Sequence, residues 1–228
     1  MTCRDAILGD LRQKLSRAAD GGAGARAVAE RLAAHRQNLI PQRGQLDRPG
    51  RIDLFEDYAA GADATVARVA TEGDVPAAVA DFLKRHNLPA NLVRAPDADL
   101  DNIPWDTQPT LTLEARKAEE PDAVSVTAAF GGVAETGTLV LVSGDDSPTT
   151  LNFLPENHVV VLWADRISGD YEAQWAALRE RYGSGALPRT VNLVTGPSRS
   201  ADIEQTIQLG AHGPRRLHIV IVDERPER

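Results

Sequence analysis

The sequence predicts an α/β protein: a mainly parallel sheet flanked by helices, preceded by an N-terminal helical extension. Two observations carry this expectation. From residue 64 onward, short apolar runs alternate with segments of helical periodicity, the pattern of strands in one parallel sheet covered on both faces. The first fifty residues carry helical patterns only, and they end in a polar segment with two prolines and two glycines, Ile40 to Gly50 (IPQRGQLDRPG). The expected division is therefore a helical extension over residues 1–50 and an α/β domain over residues 51–228.

Each element has its own warrant. Asp5 to Ala19 places Ile7, Leu8, Leu11 and Leu15 on one helical face, and Asp20-Gly21-Gly22 stops it. Gly24 to Leu39 is a second helical pattern with a thin stripe of Val28, Leu32 and Leu39. Two helices with so little apolar surface suit a partner or a neighbouring subunit better than a domain of their own. A short helix over Leu54 to Ala60 leads to a strand, Ala64 to Ala70, that alternates in period two. Asp74 to Asn87 is a helix with Val75, Ala78, Val79, Phe82 and Leu83 facing inward, and Asp74 and Pro76 fit its start. Strands follow at Asn91 to Ala95, Thr110 to Glu114, Ala123 to Thr127, Leu139 to Ser143 and Val159 to Trp163. Asp170 to Tyr182 carries Tyr171, Trp175, Leu178 and Tyr182 on one helical face. A strand at Thr190 to Thr195, a helix from Ala201 to Leu209 and a last strand, Leu217 to Val222, complete the pattern.

Composition narrows the function classes. A chain of 228 residues can bury a single sizeable core, or one domain plus an extension. Its net charge of −8 argues against a nucleic-acid-binding surface, which needs a basic stripe, yet leaves room for a local anion pocket. Lysine occurs only at positions 14, 84 and 117, so nearly every cation is an arginine. The single cysteine, Cys3, allows no disulfide within the chain, and no iron–sulfur cluster or cysteine-based zinc site can be built from it alone. The N-terminus lacks the apolar core of a signal peptide and no apolar run reaches membrane-spanning length, so a soluble, cytoplasmic protein is expected.

Two stretches concentrate the candidate chemistry. In the first, Glu135-Thr136-Gly137-Thr138 forms a small-residue turn between apolar strands, and Leu154-Pro155 and His158 lead into the next strand. A carboxylate and several hydroxyls thus meet at a strand edge, where ligands bind in open α/β sheets. Two readings of Glu135 are open: it caps the turn or pairs with an arginine such as Arg199, or it is the polar centre of a ligand site. In the second stretch, Thr195-Gly196-Pro197-Ser198-Arg199-Ser200-Ala201-Asp202, a strand ends in a Gly-Pro turn and a helix opens at Ser200. Unpaired N–H groups at a helix start bind anions, and Ser198 and Arg199 add a hydroxyl and a bidentate cation. The competing reading is a capped helix with Arg199 in a surface ion pair. His158 and His212 lie at strand or turn edges, His35 and His86 on helix surfaces and His218 inside the last strand, with no metal-ligand spacing among them. There is no GxGxxG, Walker or GxSxG sequence.

Read together, AETGTLVLVSG, LPENHVVV and TGPSRSADIEQTIQLGAHGPRRLHIVIVD resemble the lactate-utilisation protein C family (LutC/YkgG, the LUD domain). AETGT, P-x-x-H, GPS-x-x-ADIE and G-x-HGP occur in the family's order and at its spacing, from Ala123 to Asp223. The resemblance implies a fold similar to ribose-5-phosphate isomerase A, glucosamine-phosphate deaminases and CoA transferases. It implies a role in oxidising L-lactate to pyruvate, as one subunit of a three-protein system whose other members carry cysteine-rich iron–sulfur motifs. No cofactor is then expected in this chain, and no flavin or nicotinamide fingerprint is visible. In the implied site, Arg199, Ser198 and the backbone from Gly196 to Asp202 hold a small acid or other anion. Glu135 acts as base or orienting group, Thr136, Gly137 and Thr138 support it, and His158 and His212 line the edge.

Two alternatives follow from the same residues. Glu135-Thr136-Gly137 is similar to the glutamate-x-glycine turn that carries the nucleophile in CoA transferases, so in a CoA-transferase- or isomerase-like enzyme on a small acyl or sugar-phosphate substrate Glu135 could attack a thioester or act as a base beside a carbonyl. One fold hosts many reactions, however. In the other alternative the chain is a non-catalytic assembly or regulatory subunit whose N-terminal helices dock the iron–sulfur protein.

Overall fold

The computed structural model describes residues 3–15, 22–200, 208–210 and 212–225. The chain divides into two units, Met1–Asn38 and Leu39–Arg228. The first contains α1 (Cys3–Leu15) and α2 (Ala23–Ala34), and no residue of α2 is buried. The expected continuation of the first helix to Ala19, and its stop at Asp20-Gly21, lie outside the described residues.

The second unit opens with a turn at Gln42–Gly44 and then α3 (Arg48–Gly61). The helix starts earlier than its apolar pattern suggests, because Asp47 caps it: the Asp47 carboxylate accepts from the Gly50 amide at 3.0 Å, and Pro49 occupies the first turn. The glycines and prolines of the polar segment thus belong to a capped helix start and a packed turn.

A six-stranded, wholly parallel sheet forms the centre of this unit. Its strands are β1 (Thr65–Val69), β2 (Asn91–Arg94), β3 (Thr112–Ala115), β4 (Val124–Ala128), β7 (Asn157–Trp163) and β12 (Arg216–Val222), in the spatial order β1-β12-β7-β4-β2-β3. Registers such as Val126 opposite Val159 and Ile219 opposite Val160 put the longest strands in the middle. Alternate residues then divide between two cores. Val159, Val161 and Trp163 pack with Val220 and Val222 against α4 (Val75–Arg85) and α5 (Ala98–Asp101). Val160 and Leu162 pack with Leu217, Ile219 and Ile221 against Ile52, Phe55 and Ala59 of α3.

Two of the expected strands do not join this sheet. A second, four-stranded mixed sheet has the order β8-β5-β6-β9, made of β5 (Gly131–Val133), β6 (Thr138–Val142), β8 (Ile167–Ser168) and β9 (Val191–Val194). The chain between β5 and β6 is only the turn Ala134–Gly137, whereas a parallel neighbour needs a crossover of roughly a dozen residues or more. The pair is therefore antiparallel, and β9 pairs antiparallel on the other side of β6. Leu139 and Leu141 of β6 face the large sheet, while Val140 and Val142 face α7 (Tyr171–Tyr182) through Trp175 and Leu178. The short helix α6 (Thr150–Phe153) precedes β7.

The helix expected over Ala201 to Leu209 is corrected where the structure describes it. Residues 201–207 lie outside the described residues, but Arg199–Ser200 and Gln208–Leu209 form β10 and β11, an antiparallel pair. The Ser198 carbonyl accepts from the Gly210 amide at 3.0 Å and the Ser198 amide donates to the Pro214 carbonyl at 2.9 Å, so the chain at Ser198 folds as a ribbon. Among the described residues, no helix is long and apolar enough to cross a membrane.

Candidate functional site

The carboxylate turn is built from close backbone approaches. Ala134–Thr136 forms one 3-10 turn, closed by Gly137 at φ 63°, and a Cβ on Gly137 would stand 2.3 Å from the Ala59 nitrogen of α3. The Glu135 amide donates to the Gly169 carbonyl at 3.1 Å. Gly169 in turn lies against the Gln42–Gly44 turn, so closely that a Cβ on it would fall 1.8 Å from the Gly44 oxygen. These contacts leave the Glu135 side chain 5% exposed, with Arg43 Nε 3.8 Å from Oε2 and no hydrogen bond to that oxygen. The ion-pair partner is Arg43, not Arg199.

The threonines of the turn serve a different group. Thr138 Oγ1 lies 2.7 Å from Thr136 Oγ1, 3.0 Å from the Tyr171 hydroxyl and 2.6 Å from Thr195 Oγ1. Thr136 also reaches Tyr171, at 3.0 Å. This hydroxyl cluster ties β6, α7 and the end of β9 together, and its last member, Thr195, borders a cleft.

That cleft, about 260 Å³, lies at the amino ends of β7 and β12 and gathers five of the candidates: His158, Gly196, Ser198, Arg199 and His212. Thr136, Gly137, Thr138 and Glu135 do not line it, and Asp202 lies outside the described residues. His158 is 1% exposed and its Nε2 is 2.7 Å from Thr127 Oγ1. Burial pushes its pKa down to about 3, so the ring is neutral at physiological pH. Ser198 Oγ accepts from the His212 amide at 3.3 Å. Arg199 is already engaged, with Asp63 at 2.7 Å and with the Ala62 carbonyl. Sequence reasoning overlooked one member of the wall. Asn152, 1% exposed, has no partner for Nδ2 or Oδ1, and its one sequence signal was a polar residue inside the apolar run Leu151 to Leu154.

A larger cavity of about 630 Å³ was also overlooked. It opens at the carboxyl ends of β2 and β4, where β2 leads outward to β3 and β4 leads toward β7, the switch point of an open sheet. Asp97, Asp99, Arg166 and Arg225 stand there, and the acidic run after β2 was its signal. Its floor is self-paired. Asp99 bonds both Arg166 and Arg225, whose guanidiniums lie over the Trp163 ring. Burial pushes Asp99 up, but the two arginines outweigh it and hold the carboxyl below its ordinary range. Asp97 accepts from the Asp99 amide, and burial raises its pKa. Five of the sequence candidates line the smaller cleft, and none of them lines the larger cavity.

Fold and cleft define an α/β protein with a parallel core sheet, a mixed second sheet on one face, and a small cleft of mixed lining at the strand ends. Residues 52–222 match the LUD domain family model, and the chain belongs to that family. It is 36% identical over 94 residues to lactate utilization protein C of Geobacillus sp. (strain WCH70), covering 41% of this chain and 39% of that one. It is 34% identical over 110 residues to lactate utilization protein C of Halalkalibacterium halodurans, covering 48% and 47%. The match thus spans half or less of the length of these relatives. A crystal structure of a DUF162 family protein from Deinococcus radiodurans shares the fold, with a TM-score of 0.55, 23% identity, and coverage of 78% of this chain and 99% of that one.

Proposed function

We propose that this chain is a LUD-domain component of a lactate-utilisation system, and that its small cleft holds a short carboxylic acid. The observation that carries the reading is the likeness to proteins named lactate utilization protein C, together with a LUD family match over residues 52–222 that contains the cleft-lining segments. The cleft's size supports it. At about 260 Å³ it falls below the roughly 300–1,000 Å³ usual for drug-sized ligands, so it suits a small molecule.

Oxidation of L-lactate to pyruvate releases two electrons and two protons, and in this proposal iron–sulfur partner subunits take the electrons. This chain binds and orients the acid. Ser198, the backbone at Gly196 and Gly213, and the neutral His158 supply hydrogen bonds, while Glu135, which does not line the cleft, is the candidate base of the neighbouring carboxylate turn. The experiment is L-lactate-dependent dye reduction by the chain alone and after anaerobic reconstitution with cysteine-rich iron–sulfur partners. Activity that appears only in the mixture, and is lost when this chain is omitted, is the expected result. No activity in a mixture with intact clusters would overturn the reading.

One observation favours a second reading. The Glu135 carboxylate is buried on a tight turn and its Oε2 has no hydrogen bond. In a transferase-like reaction it would attack a thioester carbonyl, form a mixed anhydride and release the thiolate. Intact-mass measurement after incubation with a panel of acyl-CoA thioesters tests this, and the absence of any adduct would remove it.

A further inference from the structure

We infer that the cavity of about 630 Å³ at the carboxyl ends of the parallel strands is a second ligand site, for a free α-amino acid with a large apolar side chain. Asp97 takes the ammonium, Arg225 takes the carboxylate, and Phe130 and Tyr182 take the side chain. This cavity and the smaller cleft lie at opposite ends of the strands, so the site stands or falls independently of lactate chemistry.

The charged side of the cavity comes from the ends of the large sheet. Asp97 is half-buried and caps α5, its Oδ1 accepting from the Asp99 amide at 2.8 Å. Among the described residues it has no ion-pair partner, and its second oxygen has no hydrogen bond yet is not fully buried. Capping needs only an acceptor, and asparagine supplies one as well as aspartate does, so the charge is surplus to the fold. Burial raises the pKa of Asp97, the Asp99 amide opposes it, and the charges of Asp99, Asp146 and Arg166 act on it from the walls of the same cavity. A desolvated carboxylate without a cation is costly, and an ammonium answers it. The arginines hold the converse surplus. Arg166 and Arg225 share the one carboxylate of Asp99, and Arg225, 25% exposed, gives it Nη2 alone. Its Nε and Nη1 have no hydrogen-bond partner among the described residues, which leaves donors for a ligand carboxylate.

The apolar side comes from the second sheet and α7. The Phe130 and Tyr182 rings stand 6.5 Å apart, both half-buried against Val133, Val140 and Leu178. Ala173 and Ala177 of α7 also line the cavity and, being small, leave it room. Its volume falls within the roughly 300–1,000 Å³ of ligand pockets, and it opens at the switch point of the sheet, where ligands bind. A lone anion leaves Asp97 unpaired and a lone cation leaves the surplus guanidinium so, whereas a zwitterion answers both. Asp146, Asp165 and Arg181, also on the walls, are exposed, and solvent screens them.

The test is calorimetric titration of the whole chain with L-phenylalanine, with phenethylamine, which lacks the carboxylate, and with 3-phenylpropionate, which lacks the ammonium. L-phenylalanine should bind at least about tenfold more tightly than either, since each analogue leaves one charge of the site unanswered. Asp97→Asn keeps the cap and should weaken L-phenylalanine about tenfold while sparing 3-phenylpropionate. Arg225→Gln should do the converse, sparing phenethylamine. Circular dichroism checks that both variants fold, and the comparison of ligands on the parent chain needs no variant. Any of three results would overturn the site: no saturable binding of L-phenylalanine, equal affinity for all the ligands, or a folded Asp97→Asn variant that binds L-phenylalanine as the parent does.

Discussion

Thr138 Oγ1 meets Thr195 Oγ1 at 2.6 Å, joining the carboxylate turn to the strand end that borders the cleft. The contact makes two stretches far apart in the chain into one structural unit. Thr138 is fully buried and also touches Thr136 and Tyr171, so its hydroxyl is the hub of the cluster. Thr138→Val removes the hub while keeping the shape, leaving Thr136 and Tyr171 with each other but taking from Thr195 the hydroxyl it met. The expected loss is about 1–3 kcal/mol of unfolding free energy in urea denaturation. The double variant with Thr195→Val should lose less than the sum of the two singles, and strict additivity would show that the pair is uncoupled.

Glu135→Gln separates chemistry from architecture. The turn is held by Gly137 against Ala59 and by the Glu135 amide on Gly169, neither of which involves the carboxylate. The melting temperature should therefore stay within a few degrees of the parent. Lactate-dependent dye reduction in the reconstituted mixture should fall at least about 100-fold if the carboxylate moves a proton. A large loss of stability with activity retained would make Glu135 structural.

Acid sensitivity follows from two buried histidines. Burial depresses His158 to about 3 and His218, stacked on the Phe82 ring at 4.3 Å, to about 4. In the unfolded chain both take up protons near pH 6.5, so between pH 6.5 and those folded values the unfolded state binds more protons. Stability is then full above pH 6.5 and falls as the pH drops below it. Each histidine should cost about 2 kcal/mol between pH 7 and pH 5. Denaturation curves across that range should be shallower in pH dependence for His158→Gln and His218→Gln, whatever their absolute stability. Curves parallel to the parent would refute this.

The alternation of strands and helices was legible because side-chain periodicity is local. The inward faces of Asp74 to Asn87 and Asp170 to Tyr182 emerged as read, with Phe82 and Leu83 in one core and Leu178 in another. Sheet membership was not legible, since the same apolar strand pattern suits either sheet and only the length of the Ala134–Gly137 turn decides. The family motifs led to Ser198, His158 and His212 in one cleft, and the competing reading of Arg199 in an ion pair is what the structure shows, though its partner Asp63, far away in the chain, was not legible. Asn152 and the Asp99 pairing were hidden because hydrogen-bond satisfaction is a property of three-dimensional neighbours.

The backbone contact between Gly44 and Gly169 has a bearing on how the protein can be dissected. The family match begins at residue 52, yet the turn pressed over Glu135 comes from Gln42–Gly44. A chain trimmed to the matched region would keep every motif and strand of both sheets while uncovering the carboxylate, and would also lose the Asp47 cap of α3. Activity differences between such a fragment and the full chain would therefore report on the shielding of one side chain as well as on the loss of the N-terminal helices. Trimming at Leu39 instead retains the cover and isolates the effect of the extension.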